Sequence, residues 1–214
     1  DSIAKHSVPQ CTPEDVLNRR ADEMAAADPA LKSLIREYHD GLLLYEISNR
    51  TVWDKAAKDE AGLAAYFKKN RKRYKWEKPR FKGIAYWVKE QGDVEAVKAS
   101  LKKVPFEQWP EHLRKEFNDS TIRIKVVKGI FREGDNALID KVVFGKDTTV
   151  ADVKDFPISA TYGEKLKAPK TYNDVRELVV TDYQEQLEKA WIEALRKRYT
   201  VVLNKEVLST VNKH

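Results

Sequence analysis

The sequence predicts an α+β fold in which helices from the two ends of the chain bracket a small α/β insert. Three observations lead there. Apolar residues recur at helical spacing from Leu31 to Ile47, and again from Val175 to Tyr199. Between them, from Pro79 to about Pro169, the pattern shortens and mixes alternating strands with brief helices. No internal repeat or low-complexity linker divides the chain. The expected organisation is residues 1–11 disordered or loosely packed, 12–78 with 171–214 as one helical layer, and 79–170 as the α/β domain.

Each element has a local reason. Thr12-Pro13-Glu14-Asp15 starts a helix, with Thr as the cap, Pro in the first turn and acids at the positive pole. Asp28-Pro29 repeats the signal and opens a longer helix through Ile47 that carries Gly41, a mark of close packing or a bend. A third helix follows Asp59. Phe81 to Lys89 reads as a strand, Val94 to Leu101 as a helix, and Pro105 to Phe117 as another helix broken near Pro110. Ile122, Ile124 and Val126 alternate with charged residues as in a half-buried strand, and Gly129 to Phe131 suggests one more. Gly134-Asp135-Asn136 is turn chemistry, Ala137 to Phe144 offers one or two helical turns, and Pro157 to Leu166 is short and β-like. The last long helix repeats apolar residues every fourth position (Val175, Val179, Tyr183, Leu187, Trp191, Leu195, Tyr199), so its stripe curls and needs more than one neighbour. The segment from Leu34 to Ile47 is the expected partner of Trp191.

With 214 residues, 42% hydrophobic and 35% charged, the chain suits one domain or two small ones with a highly charged exterior. No run approaches the eighteen apolar residues of a membrane span. The chain opens on DSIAKHSVPQ without an initiator Met or signal peptide and reads as a truncated or processed start. A single cysteine, Cys11, excludes an internal disulfide.

Familiar reaction centres are missing from the sequence. It holds no phosphate loop, GxGxxG or HExxH, and its four histidines (His6, His39, His112, His214) are too scattered for a metal site. No cofactor or metal is expected. His39 and Asp40 are neighbours on a helix and point about 100° apart, so a solvated helix face is the preferred reading. The net charge of +6 is concentrated in residues 66–82, where nine cations meet one acid, Glu77. With Tyr66, Phe67, Tyr74 and Trp76 interleaved, this run suggests nucleic-acid binding, but an exposed helix end explains it better. The five tryptophans (Trp53, Trp76, Trp87, Trp109, Trp191) read as core anchors that leave room for one surface holding apolar polypeptide.

Two long segments carry a family likeness. EYHDGLLLYEISNRTVWDKAAKDEAGLAAYFKKNRKRYKWEKPRFKG (Glu37–Gly83) resembles the linker between chaperone and isomerase portions of SurA-like, parvulin-type peptidyl-prolyl isomerases. YNDVRELVVTDYQEQLEKAWIEALRKRYTVVLNKEVLSTV (Tyr172–Val211) resembles their C-terminal segment in the form associated with Bacteroidetes envelope proteins. The resemblance implies a helical chaperone-like module around a degenerate parvulin-like domain, with a periplasmic or envelope location. It implies unfolded or extended polypeptide as the client, outer-membrane proteins included, and leaves room for an active parvulin domain upstream of Asp1. Matched to the family's motifs, the first histidine falls on Gly83, the Cys or Asp on Ser120 or Asp119, and the late histidine on Lys165. The pocket Met and Phe fall near Asp135 and Ile139. Catalytic residues are therefore not expected to be retained, because an acid at an apolar slot costs desolvation and a lysine cannot copy a neutral imidazole. Trp76, Trp87, Phe131, Ile139 and Phe144 are the expected client-binding residues. An active isomerase is the alternative reading, and nucleic-acid binding through 66–82 ranks behind it.

Overall fold

In the computed structural model, which describes residues 12–210, the first helix starts where its cap predicts. The segment 1–11, expected to be loosely packed, lies outside the described residues with its His6 and Cys11, and so does His214. Thr12 Oγ1 accepts from the Asp15 amide at 3.2 Å, while the Asp15 carboxylate accepts from the Thr12 amide at 2.8 Å. These bonds, the backbone one foremost, hold Asp15 below its ordinary carboxylate pKa. Helix α1 runs Pro13–Ala27, and Asp28 then caps α2, Pro29–Ser48, by accepting from the Ala30 and Leu31 amides. A π turn, Asn49–Trp53, joins α2 to α3, Asp54–Lys58, without a break in the helical path. The wider turn shifts the faces of α3 around the axis relative to those of α2. Val52 and Ala56 are buried, whereas no residue of α1 or α2 is.

The remaining order is α4 (Glu60–Asn70), β1 (Arg80–Val88), α5 (Gln91–Leu101), α6 (Trp109–Phe117), β2 (Ile124–Phe131), α7 (Ala137–Val142), β3 (Ile158–Leu166), α8 (Arg176–Arg198) and α9 (Lys205–Ser209). The fold is α+β, with helices flanking a small antiparallel sheet. Three local expectations change. Pro110 sits in the first turn of α6 instead of breaking it, since its absent N–H would have no helical partner there. The stretch from Ile124 to Phe131 is one strand, not two, and Ile122 lies outside it, exposed. The residues from Leu34 to Ile47 stay exposed, so Trp191 does not bury them as the periodicity of the two helices suggests.

The described chain divides into two compact units. One takes in the residues up to Asp59 and those from Asp182 onward; the other is Glu60–Thr181. These limits differ from 78/79 and 170/171 because α4 buries Leu63, Tyr66 and Phe67 inside the second unit. Glu60 also pairs with Arg176 at 2.8 Å, and Arg71 donates to the Pro169 carbonyl at 3.4 Å. Within the first unit, the Tyr183 hydroxyl donates to Asp59 at 2.8 Å. Burial first, and that bond second, push the phenol up to about 12.

In the second unit the strand order is β2-β1-β3, with both pairings antiparallel. Alternation sends Ile84, Tyr86 and Val88 to one face, beneath α5 and α6, where Val94, Val97, Leu101, Trp109, Leu113 and Phe117 complete a core. Phe81 and Ala85 face the other way, toward Phe131, Leu138 and Ile139 of β2 and α7. Lys82 of β1 makes a 2.6 Å ion pair with Asp174, whose side chain is fully buried and also accepts from the Lys170 and Thr171 amides. The charge is thus satisfied from several sides.

Three glycines stand in register across the sheet: Gly129, Gly83 and Gly163. A Cβ on Gly83 would overlap the Tyr162 carbonyl oxygen and lie 2.7 Å from the Phe81 ring. Gly163, at φ +152°, would collide in the same way with the Lys82 carbonyl. Phe81 and Phe131 lie over this glycine row, a packing in which rings cover backbone that has no side chain. Gly83→Ala is expected to cost about 3 kcal/mol by overpacking a rigid site. Gly41→Ala, which meets nothing within 4 Å on α2, should be neutral or gain up to about 1 kcal/mol. Urea unfolding of the two variants beside the wild type measures the contrast.

Candidate functional site

Two places could carry function: the β1–α7 face of the sheet, where the resemblance puts a proline site, and the apolar side of α2. At the sheet, Gly83 lies in the middle of the central strand, buried under Phe81. Lys165 on β3 pairs with Phe81, two residues from Gly83, and its Nζ rests 5.0 Å from the centre of the Phe144 ring. Asp119 and Ser120 are exposed in the turn before β2. The first β2 residue, Ile124, pairs with Val88, five residues beyond Gly83. That offset is about 17 Å along a strand. The sheet therefore brings positions 83 and 165 close together and leaves 119 and 120 past one of its ends.

Of the five residues expected to bind clients, four come together. Phe131 and Ile139 are buried in the core under α7, and Trp87 and Phe144 pack against it half-buried. Of these, Phe131 lies with Phe81 over the glycine row. Trp76 is elsewhere, with the Arg80 guanidinium 4.8 Å from its ring centre. Asp135, expected at the mouth of an apolar slot, is instead exposed in a turn. Its carboxylate accepts from the Arg132 amide at 2.9 Å and from Arg132 Nε at 3.2 Å. The backbone bond foremost, with the Arg132 side chain, holds it below the usual carboxylate range.

Isomerisation requires a slot that grips proline and groups that favour the twisted amide over the planar one. Here a family imidazole at position 83 would collide with the Tyr162 carbonyl and the Phe81 ring. Position 165 offers an ammonium occupied over an aromatic face. Among the described residues no group of three or more His, Cys, Asp or Glu side chains is placed to hold a metal. His39 and Asp40, expected to diverge, come within 3.4 Å at their tips, because side-chain rotation closes what the helix separates. Both stay largely exposed, and Asp40 also meets Arg36 at 3.8 Å, so this is a solvated surface cluster.

The second place was missed as a site by sequence reasoning, which assigned the α2 stripe to internal packing. Leu34, Tyr38, Leu42 and Tyr45 recur at helical spacing along a groove of about 550 Å³, with Gly41 between them and Glu37 at the border. Tyr38 is 72% exposed, Leu42 61% and Leu34 57%. Tyr45 meets Trp53 edge-on at 5.5 Å, which fixes one end of the groove. The absence of a Cβ at Gly41 opens the groove floor; the signal was the glycine itself, inside an otherwise strong helix.

Comparison with protein-family models, curated proteins and solved structures returned no match.

A protease-coupled assay on a proline tetrapeptide should show cis/trans relaxation at the uncatalysed rate, tens of seconds at about 25 °C. A concentration-dependent acceleration by the purified protein would contradict this reading of the sheet face.

Proposed function

We propose that the protein is a folding factor that holds unfolded or extended polypeptide on the apolar side of α1 and α2. The observation that carries this is that two helices of 15 and 20 residues contain no buried residue. Val16, Leu17, Met24, Leu34, Ile35, Tyr38 and the run Leu42 to Tyr45 are all exposed. Isolated helices are marginal in water, and most of their stability comes from packing an apolar face. Large contiguous apolar patches on a soluble protein mark interaction surfaces. Each of these side chains forgoes on the order of 1 kcal/mol by staying wet, which a bound apolar segment would recover. Leu and Tyr on a helix, grooved at Gly41, suit varied sequences because they offer area and few directional bonds.

The second unit supports the family reading in its order of elements, strand, two helices, strand, short helix, strand, matching the outline of a parvulin. In this proposal it is a parvulin-like domain without isomerase chemistry, and the protein is SurA-like, of the cell envelope, with outer-membrane proteins among its clients. No helix of the described residues is long and apolar enough to cross a membrane, which agrees with a client-binding role beside the membrane and not within it. The nucleic-acid reading loses its stacking platform, because Tyr66, Phe67, Tyr74, Phe81 and Tyr86 are buried.

The test is suppression of client aggregation, followed by light scattering at equimolar protein. Tyr38→Ser with Leu42→Glu changes exposed positions only and should alter stability by no more than about 0.5 kcal/mol each. It should abolish at least half of the wild-type suppression. Wild-type protein that leaves scattering unchanged would end the proposal.

A further inference from the structure

The second unit has a basic hollow that the apolar client surface does not use. After α4, residues 71–74 form a single 3₁₀ turn, and residues 75–79 then lead to β1 without regular structure. One depression, about 680 Å³, lies at the end of α4 against Ala168 and Pro169, and every charged residue in its wall is a cation: Lys68, Lys69, Arg71, Lys72, Arg73 and Lys75. A second, about 480 Å³, shares Arg73 and Lys75 with the first and adds Lys78, Arg80 and Arg132. Its two acids are Glu77 and Glu133. Glu133 is already engaged by Lys146 at 3.2 Å and Lys78 at 3.8 Å.

The arginines are largely committed to the fold. Arg71 donates to Pro169, Arg73 to the Tyr66 hydroxyl at 3.1 Å, Arg132 to Asp135, and Arg80 lies over Trp76. Lys68, Lys69, Lys72 and Lys75 form no ion pair among the described residues. Four exposed lysines crowd one short stretch, and a bound polyanion relieves their mutual repulsion more fully than the screening of dissolved salt does. Trp76 Nε1 adds a buried donor with no acceptor, at the wall of the second depression. A buried donor left without a partner is destabilising.

We infer that these two adjoining depressions bind an extended acidic segment of polypeptide, its carboxylates meeting Lys68, Lys69, Lys72 and Lys75 and its chain passing Arg73 toward Trp76. The inference rests on the polypeptide-holding proposal and deepens it, naming acidic stretches as the second feature recognised in a client. A single small anion would satisfy one hollow and leave the other. Nucleic acid would bring bases, and the rings nearby are buried or, at Trp76, covered by Arg80. A bilayer surface is flat and would meet only the rims. Carboxylates on alternate residues of an extended chain recur at about 7 Å, a spacing that a row of flexible lysines can follow.

The experiment is fluorescence anisotropy of a labelled twelve-residue peptide of alternating Asp and Ser with the full chain. Expected is saturable binding that weakens at least about tenfold between roughly 50 and 200 mM salt, as a contact between many charges does. Lys69→Ala with Lys72→Ala and Lys75→Ala, all at exposed positions, should weaken it at least tenfold more while circular dichroism is unchanged. The same variant should keep wild-type suppression of aggregation for an uncharged client, which separates this hollow from α2. Wild-type protein that ignores the peptide, or a triple variant that binds as the wild type does, overturns the inference alone if suppression persists. So would tighter binding of oligo-deoxythymidine of equal charge, or of vesicles containing an anionic lipid, than of the peptide.

Discussion

The glycine row of Gly129, Gly83 and Gly163 is the constraint on which the second unit depends. Backbone oxygens occupy the space that Cβ atoms on Gly83 and Gly163 would need, so the three strands pack with Phe81 laid across them only because those positions are bare. That one choice has two results. It lets Phe81 and Phe131 seal the face under α7, and it leaves no room for a larger side chain at Gly83.

The two units contrast in how far their apolar surface is satisfied. Glu60–Thr181 has cores on both faces of its sheet, and its buried acid Asp174 is paired with Lys82 and accepts two amides. In the unit holding α1 and α2, two well-capped helices keep their large apolar side chains in solvent. Capping explains why they form: Thr12 with Asp15, and Asp28, supply the partners that helix starts lack. It does not explain their apolar residues. A surface kept wet at a cost in stability and grooved at Gly41 fits a role in which it is covered by something else.

Much of this was legible in the residues. Helix starts followed from Thr12-Pro13 and Asp28-Pro29, and the strands from alternation, because both signals are local. The register was not, since strand pairing joins residues as distant as Gly83 and Gly163 and no neighbour in the chain reports it. Hence Phe131 and Ile139 read as client-binding when they close the core over the glycines. A phenylalanine two positions from a glycine in β1 and β2 (Phe81 and Gly83, Gly129 and Phe131) was the available clue. The α2 stripe misled in the opposite sense. Periodicity announces an apolar face, but cannot say whether the chain itself covers it. The basic run was visible as charge, and only the structure divides it between arginines tied to the fold and lysines left in a hollow.

Photo-crosslinking to a denatured client tests the central claim most directly. A photoreactive residue placed at Leu42 on α2, 61% exposed, is compared with one at Val127 on β2, 45% exposed on the sheet face that includes Ala85. If α2 holds the polypeptide, client adducts form from position 42 and none above background from position 127. Adducts confined to position 127 would place the polypeptide at the sheet and contradict that claim.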